Sequence, residues 1–347
     1  MNGLSFIDKV LYIFNYISLI LLLFSYLSPY LNPIYFWPIS FIGLIFSFLY
    51  IINILFFIYW GLNFKKQIWL NIIILLIGFG NFRQYIGTSP DTFSNKENIK
   101  LLTFNVRLFN KYNWLNQADI QEKTYKFFKN EKIDILCIQE FYAYKEINLD
   151  FSYKHLGQEK KEDQEYLVIY SNYPQFNKGT VNVNGKDIKK TCIYSDIIIK
   201  TDTIRVYNIH LASNWFKNSD YIFIKNPINK KIKEGIIGIM NRMKKSYKKR
   251  AVEVKAIKEH MKLSPYPLIV CGDFNDTPLS YAYRSIKGDL VDAFSVSGKG
   301  IGESFVNIPG LRIDYILHES KFNSTNYQKH HQIFSDHYAI SCEIIIP

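Results

Sequence analysis

The hydrophobic residues of the chain are concentrated in its first quarter, where long runs contain no charged side chain. No Asp, Glu, Lys, Arg or His occurs between Lys9 and Lys65, and a second uncharged run lies between Lys66 and Arg83. A helix needs about 20 apolar residues to cross the hydrocarbon core of a bilayer. The first run is therefore long enough for two crossings, and the second, though short, suggests a third.

The predicted membrane spans cover residues 11–27, 37–60 and 68–86. Three prolines between 28 and 38 interrupt helical hydrogen bonding and fit a hairpin between the first two spans. A soluble helical core would show polar faces, and a cleaved signal peptide would end in an A-x-A-like site that is missing here. Residues 1–88 are thus expected to form a membrane anchor of three transmembrane helices.

The few charges near these spans predict the orientation of the chain. Lys9 precedes the first span, and Lys65 with Lys66 separates the second from the third. The positive-inside rule places all three on the cytoplasmic side, although Arg83 argues mildly against it. We expect an integral protein of a bacterial inner membrane with its larger, C-terminal part on the non-cytoplasmic side.

After a polar linker at 89–98, the pattern changes to short apolar strands separated by turns. Helices are predicted at 118–130, 228–262 and 279–287. Strands are predicted at 99–106, 133–141, 165–171, 191–200, 203–211, 267–274, 312–318 and 338–346. Many strands with a few helices among them predict an α+β layered sandwich over residues 99–347.

Charge and cysteine content narrow the class of partner and compartment only slightly. The formal charge is +12, of which residues beyond 89 carry +9. A basic domain suits an anionic partner such as a polyphosphate, a nucleic acid or an acidic lipid surface. The four cysteines lie in apolar runs without zinc-like spacing, which predicts buried thiols.

Polar side chains recur where the predicted strands begin or end. Carboxylates and amides can hold a hard, oxygen-preferring cation, and histidines transfer protons near neutral pH. A single such residue is typical of a turn or cap, but a repeated pattern over so many strands indicates a shared site. The residues are Asn105, Glu140, His210, Asp273, Asn275, Asp314, Asp336 and His337.

Six segments around these residues resemble the endonuclease/exonuclease/phosphatase superfamily. They are LLTFNVR, ILCIQE, VYNIHLAS, IVCGDFNDTP, RIDYIL and SDHYAI, and they occur in the order found in that superfamily over residues 99 to 346. The group includes deoxyribonucleases, abasic-site endonucleases, inositol-polyphosphate phosphatases and neutral sphingomyelinases. The resemblance implies a four-layered α/β/β/α sandwich and a divalent-metal site at one end of the two sheets.

The resemblance also implies a metal centre and a group that orients the nucleophile. Glu140 is expected to bind the metal, with Asn105 and Asp336 nearby. The implied ion is Mg²⁺, with Mn²⁺ as an alternative. Asp273 and Asn275 are expected to orient the attacking water and hold the phosphoryl oxygens.

Proton transfer is assigned by the same resemblance to the two histidines. Asp314 is expected to orient His337, and His210 to contact the phosphate or protonate the leaving oxygen. Either Asp273 or His337 could take the proton of the water, and both remain open at this point. A carboxylate partner for His210 is expected between 141 and 170, with Glu165 and Glu162 as candidates.

Three further residues carry weaker expectations. Arg107 replaces an acid of the abasic-site enzymes and could bind phosphate or form a surface ion pair. Arg250 could contact substrate, because the family often has an Arg at the start of this helix. Asp276 in the segment GDFNDTP is typical of the cap of the following helix.

The expected function is Mg²⁺-dependent hydrolysis of a phosphate ester by a membrane-anchored enzyme, with no protein partner implied. A lipid head group is one substrate class, since tethering raises the effective concentration of enzyme at the membrane. Alternatives are an exported cell-surface nuclease and an inactive member that binds a phosphorylated ligand. The basic stretch within 213–250 fits a nucleic acid, an anionic membrane surface or a solvated helix face.

Overall fold

The computed structural model describes residues 4–89, 98–142, 149–157, 165–183, 186–187, 191–214 and 232–347. Most of the predicted linker, the candidate Glu162 and part of the predicted basic stretch lie outside these residues. The described residues form an N-terminal helical bundle and a C-terminal sandwich of β-sheets and helices.

The helical bundle contains α1 (Phe6–Ser25), α2 (Pro33–Phe36), α3 (Pro38–Leu44), α4 (Phe46–Leu62) and α5 (Ile68–Phe82). Of the described helices, only α1 is by itself long and apolar enough to cross a membrane. Helices α3 and α4 reach that length together, but the chain bends by 59° between them. Since α5 has only 15 residues, the expectation of three transmembrane helices is not confirmed.

Hydrogen-bonded polar side chains lie inside the bundle beside an apolar cluster, and apolar side chains also cover its outside. Asn15 of α1 donates to Asn53 of α4 at 3.2 Å and to Asn71 of α5 at 3.0 Å. Ser18 donates to Asn53, and the Trp60 indole donates to Asn15. Large apolar side chains on all three helices are exposed. Buried polar groups stabilise a bundle only when they are hydrogen-bonded, and these asparagines satisfy one another.

The sandwich begins with β1 (Ile86–Thr88), β2 (Ile99–Asn105), α6 (Ile120–Asn130), β3 (Ile135–Phe141), β4 (Tyr153–Leu156) and β5 (Tyr166–Ser171). It continues with β6 (Gln175–Thr180), β7 (Asn182–Val183), β8 (Lys186–Asp187), β9 (Cys192–Ile199), β10 (Asp202–His210) and α7 (Ile232–Lys262). The last elements are β11 (Leu268–Asp273), α8 (Tyr281–Lys287), β12 (Val291–Asp292), α9 (Ala293–Ser297), β13 (Lys299–Ile301), β14 (Asp314–His318), β15 (Asn323–Lys329) and β16 (Ile340–Ile345).

Two six-stranded sheets make up the core of the sandwich. Their strand orders are β12-β14-β11-β10-β9-β6 and β15-β16-β2-β3-β5-β4. One hydrophobic cluster, with Leu101, Ile135, Val206 and Ile269 among its members, joins the inner faces of the two sheets. A second cluster joins the outer face of the sheet that contains β11 to α7 and α8. A third cluster joins the outer face of the sheet that contains β2 to α6. Helices therefore cover both outer faces, as the resemblance implied.

The helical bundle packs directly against the sandwich. Strand β1, which follows the bundle, pairs antiparallel with β13. The buried Arg312 guanidinium donates to the Gln84 carbonyl at 3.0 Å. A Cβ at Gly43 would collide with Ser28 Oγ and would lie 2.8 Å from the Leu279 carbonyl oxygen. The absence of a side chain at Gly43 thus allows the close approach of the two units.

The four cysteines are buried and unpaired, as their apolar surroundings predict. Cys137, Cys192, Cys271 and Cys342 all lie in strands of the sandwich, and none forms a disulfide. They pack as small apolar side chains between the layers.

Candidate active site

Strand direction brings the predicted site residues to one edge of the two sheets. Strands β2 and β3 run parallel to each other, as do β10 and β11. The carboxyl ends of each pair therefore lie side by side, and they carry Asn105 and Glu140 in one sheet and His210 and Asp273 in the other. Asp314 begins the antiparallel β14 and lies opposite Asp273 in the register. Five strands from two sheets therefore converge on one cluster of carboxylates, amides and imidazoles.

The amide of Asn105 links the two sheets at this edge. Its Nδ2 donates to Glu140 Oε1 at 3.1 Å and to Asp273 Oδ2 at 3.1 Å. Glu140 has a positive φ of 49°, beside an irregularity in the pairing of β3 with β5. Positive φ is unusual for a residue with a side chain and is common at functional sites. The local backbone of β3 thereby directs Glu140 toward Asn105.

Asp273 lies at the centre of the cluster and is almost completely buried. Its Oδ1 accepts the Asn275 backbone N–H at 2.7 Å, and its Oδ2 accepts the Asn275 and Asn105 amides. Burial raises the pKa of Asp273 to about 6, with the negative charge of Asp314 adding to the rise and His337 and His210 opposing it. The carboxylate is therefore ionised at neutral pH and more basic than an exposed one.

Asn275 adopts a positive φ of 52° directly after the buried strand β11. Its Nδ2 also donates to the Leu211 carbonyl at 3.0 Å, which ties the loop after β11 to the end of β10. Asn tolerates the left-handed conformation better than most residues because its short polar side chain bonds locally. These contacts hold Asn275 against Asp273.

His337 and Asp314 form a buried pair. His337 Nδ1 lies 2.9 Å from Asp314 Oδ2, and His337 Nε2 lies 3.8 Å from Asp273 Oδ2. Burial alone would lower the pKa of His337, but the negative charges of Asp314 and Asp273 outweigh it and raise that pKa to about 10. His337 is consequently an imidazolium at neutral pH.

His210 faces the same carboxylates from the end of β10. Its Nε2 lies 3.5 Å from Glu140 Oε1 and 3.7 Å from Asp273 Oδ2, and it has no hydrogen-bond partner among the described residues. Glu140 and Asp273 are thus carboxylate neighbours of His210. Glu165 lies close enough for its charge to contribute to the raised pKa of Glu140, after burial and Asp336.

Asp336 forms an ion pair with Arg107 beside this cluster. Arg107 Nη1 lies 2.6 Å from Asp336 Oδ2, and the guanidinium stacks over the Trp114 ring at 4.1 Å. Arg107 opens a run of four consecutive residues with positive φ, which ends at Asn110. The strained turn after β2 therefore places Arg107 over Asp336 rather than away from the site.

Arg250 and Asp276 form a separate buried pair. Arg250 Nε donates to Asp276 Oδ2 at 3.1 Å, and Nη1 donates to the Ala212 carbonyl at 2.7 Å. Asp276 also accepts the Thr277 backbone N–H. Their described contacts are structural, so the geometry gives no support for the expected substrate contact of Arg250.

The donor set fits a hard divalent cation. The carboxylates of Asp273 and Asp314 lie within 4.8 Å of one another and of a nitrogen of His337, which as an imidazolium already balances part of their charge. The side chain of Glu140 is 21% exposed. Burial of the rest nevertheless raises the pKa of its carboxyl group to about 7, and the nearby negative charge of Asp336 adds to the rise. Several carboxylates crowded into one buried space are stabilised by a cation of high charge density.

Sequence reasoning missed the polar layer beneath the cluster. Gln139 donates to Asn208 at 2.6 Å and to Thr103 at 2.9 Å, and Asn208 donates to the Ile138 and Val168 carbonyls. Asn208 thus connects the two sheets, which fixes the distance between Glu140 and His210. Asn208 could have been recognised from the sequence, because it is a polar residue inside an apolar strand, two residues before His210.

This fold and site define a class of hydrolases with two packed sheets. A model of the Endonuclease/Exonuclease/phosphatase family matches residues 102–337, and the chain belongs to that family. Its members hydrolyse phosphate esters. Residues 8–85 match a second family model, described as a domain of unknown function (DUF8431). No curated protein sequence matches the chain.

Solved structures with the same fold share little sequence with the chain. A functionally unknown conserved protein from Enterococcus faecalis V583 is 15% identical, with a TM-score of 0.53, and covers 72% of this chain and 100% of its own. A mannosyl-6-phosphatase from Bacteroides thetaiotaomicron is also 15% identical, with a TM-score of 0.50 and coverage of 72% and 100%. A humanized D. rerio TDP2 is 13% identical, with a TM-score of 0.51 and coverage of 72% and 99%.

Proposed function

We propose that the protein is a membrane-anchored, Mg²⁺-dependent hydrolase of phosphate esters. The position of Asp273 carries this proposal. One buried carboxylate accepts amide hydrogen bonds from Asn105 and Asn275 and lies within 3.8 Å of the Nε2 atoms of both His210 and His337. Such a set can activate water on one side and stabilise a phosphoryl group on the other.

Asp273 is assigned as the group that takes the proton of the attacking water. A base must be unprotonated at the working pH, and the pKa of Asp273, about 6, meets this condition. With its pKa raised to about 10, His337 already carries its proton at neutral pH. His337, oriented by Asp314, therefore supplies a protonated imidazolium to the site and not a base.

His337, His210 and Asn275 are assigned to the phosphoryl oxygens and the leaving group. An imidazolium next to those oxygens stabilises charge that develops in the transition state. His210 Nε2 is buried and unpaired among the described residues, so it can bond to substrate without breaking a protein contact. It is also the candidate to protonate the leaving oxygen.

Glu140, Asn105 and Asp336 are assigned to hold Mg²⁺, with Mn²⁺ as an alternative. The bound ion would supply positive charge to the phosphoryl oxygens. Arg107 already neutralises Asp336, so Arg107 and the ion compete for one carboxylate. We propose that Arg107, when released from Asp336, contacts the phosphate.

The apolar outer surface of the helical bundle supports the membrane anchor. The described part of the bundle holds asparagines and an apolar cluster inside and exposes large apolar side chains outside, as for Leu76, whose exposed fraction is 70%. Such an outer surface is unfavourable in water and favourable in lipid. We propose that α1, the bent pair α3–α4 and α5 together anchor the protein in a bacterial inner membrane, with the sandwich on the non-cytoplasmic side.

A lipid head group is the substrate class that this anchor favours, because the anchor holds the site near membrane-bound esters. A cell-surface nuclease shares the same catalytic groups, and a phospho-ligand-binding member without activity would share the pocket. A substrate panel distinguishes these alternatives. The full chain, in mild detergent with Mg²⁺, is assayed against phospholipids, DNA, RNA and an aryl phosphodiester.

Hydrolysis of phospholipid that stops in EDTA and in Asp273→Asn would support the proposal. Cleavage of nucleic acid alone would replace the lipid substrate by the nuclease alternative. If no phosphate ester is hydrolysed faster than by Asp273→Asn, the binding-protein alternative replaces the enzyme.

Metal affinity should depend on pH through Glu140. Its pKa is raised to about 7, chiefly by burial, and only the ionised carboxylate can bind the cation. Lowering the pH from 8 to 5.5 should therefore weaken Mn²⁺ binding by about thirtyfold. Calorimetric titration with Mn²⁺ measures the affinity, and Glu140→Gln should bind weakly at both values. An affinity that does not change with pH would remove Glu140 from the ligand set.

Replacing Asp314 should lower the pKa of His337. Of the charges that raise it, that of Asp314 contributes most, so Asp314→Asn should reduce the pKa from about 10 by about 1–3 units. NMR titration of ¹³C-labelled histidines in the metal-free chain measures the change, and His337→Gln identifies the resonance. A His337 resonance that titrates unchanged in Asp314→Asn would contradict the pairing.

A further inference from the structure

We propose that a cavity between the helical bundle and the sandwich binds the phosphate head group of an anionic phospholipid. The cavity has a volume of about 140 Å³. Its lining includes Tyr30 from the segment after α1, Asn81 and Gln84 from the end of α5, and Arg284 and Lys287 from α8. This proposal rests on the proposed membrane anchor.

Two cations give the cavity its charge. Arg284 and Lys287 lie three residues apart in the last turn of α8, so they project from neighbouring positions of that helix. Neither forms an ion pair with a carboxylate in the described part of the chain. Arg284 stacks over the Tyr30 ring at 4.0 Å, which fixes the guanidinium at the cavity. A phosphate would complete the charge balance there.

The side chains in and near the cavity are of three kinds, apolar, amide and cationic, which match the three parts of a phospholipid molecule. On the bundle side, exposed apolar side chains include Phe24 and Leu27 at the end of α1, with exposed fractions of 48% and 45%, and Phe79 of α5 at 54%. The amides of Asn81 and Gln84 and the two cations line the cavity itself. Acyl chains, ester groups and phosphate would offer one matching partner to each of these three kinds of side chain.

The cavity also adjoins the segment that carries the active site. Pro278 and Leu279 line it, three and four residues after Asn275. Leu279 packs into the hydrophobic cluster of the bundle with Phe46 and Tyr85. A lipid in this cavity would therefore contact the same loop that holds Asn275 against Asp273, from outside the catalytic cluster.

Ligand-induced stabilisation of the full chain in detergent tests the proposal. The probes are dioctanoyl phosphatidylglycerol, dioctanoyl phosphatidylcholine and inorganic phosphate, added in EDTA so that no lipid is hydrolysed. Phosphatidylglycerol should raise the melting temperature by several degrees, because a ligand that binds only the folded state stabilises it. Phosphatidylcholine, whose head group has no net charge, should raise it much less.

The double variant Arg284→Gln/Lys287→Gln should bind phosphatidylglycerol at least tenfold more weakly. Lys255→Gln/Lys258→Gln removes two exposed cations with the same spacing from α7 and should bind as the native chain does. Gln84→Glu places a negative charge in the cavity without changing the size of the side chain, and it should also weaken binding. Melting temperatures without lipid show whether each variant is folded.

Equal stabilisation by the two lipids, or undiminished binding by the double variant, would overturn the proposal. If inorganic phosphate stabilises the chain as much as phosphatidylglycerol does, the cavity binds a free anion and the proposed phospholipid ligand is wrong. Extraction of native membranes with alkaline carbonate tests the anchor separately. If the chain stays with the membrane while lipid binding fails, the cavity assignment is wrong and the anchor stands.

Discussion

Asp273→Asn should reduce kcat by roughly 10²–10⁴-fold, the range expected for loss of a general base. The substitution keeps the shape of the side chain but removes its ability to accept a proton. It also removes the negative charge that faces His210 and His337 at 3.7 Å and 3.8 Å. KM should change much less than kcat, since the base acts mainly in the transition state.

The matched control is Asp202→Asn, which makes the same chemical change at an exposed position at the start of β10. It should keep native activity. Initial rates with an aryl phosphodiester at saturating Mg²⁺, together with melting temperatures, separate a catalytic defect from misfolding. An Asp273→Asn enzyme that keeps more than a tenth of native kcat would transfer the role of base to another group.

The pH dependence of the native enzyme gives an independent test of the same assignment. The pKa of Asp273 is raised to about 6, so kcat/KM should rise with pH through that value. His337 keeps its proton up to about pH 10, and loss of that proton should lower the rate above it. A base with the pKa of His337 would instead give a rate that rises up to about pH 10.

The sandwich could be predicted from sequence because its signals are local. Each of the eight predicted strands has a counterpart in the structure, since continuous apolar runs such as 267–274 can be buried only between layers. The clustering of the site residues could be predicted because they lie at or just after the ends of such runs, as Asp273 ends β11. Short strands such as β4 and β6 were missed because their exposed residues show no apolar alternation.

The contacts within the bundle could not be predicted, because they join residues far apart in the chain. The hydrogen bonds of Asn15 with Asn53 and Asn71 join three helices, and no local pattern sets which asparagines face one another. The break at Ile45 between α3 and α4 was likewise not visible in an uninterrupted apolar run. The partner of Arg250 was also not predictable, because Asp276 lies 26 residues away in the chain.

Removing residues 83–89 from the isolated sandwich should destabilise it strongly. The fragment 83–347 keeps this segment, and the fragment 90–347 lacks it, so both lack the helices of the bundle and differ in little else. In the longer fragment β1 can pair with β13, the Gln84 carbonyl can accept from Arg312, and Tyr85 can remain packed beside Leu279.

Each lost contact has an estimable effect. Arg312 is fully buried, and a hydrogen bond to such a charged group contributes about 1.5–3 kcal/mol. Full burial of an aromatic side chain contributes about 1.5–3 kcal/mol, and Tyr85 keeps only the part that its contacts with the sandwich provide, because Phe46 of the bundle is missing from both fragments. The shorter fragment should therefore be less stable by about 2–5 kcal/mol. For a domain of this size that corresponds to a melting temperature lower by about 10 °C.

Thermal melting followed by circular dichroism compares the two fragments. Gln84→Ala in the longer fragment is the control, because it removes the side chain and leaves the backbone carbonyl that Arg312 contacts. It should melt close to the longer fragment. Melting temperatures of the two fragments within 2 °C of each other would show that the segment is only a tether. If the fragment 83–347 folds and the fragment 90–347 does not, residues 83–89 belong to the catalytic domain. The fold of that domain then begins before the polar linker at 89–98 and not after it.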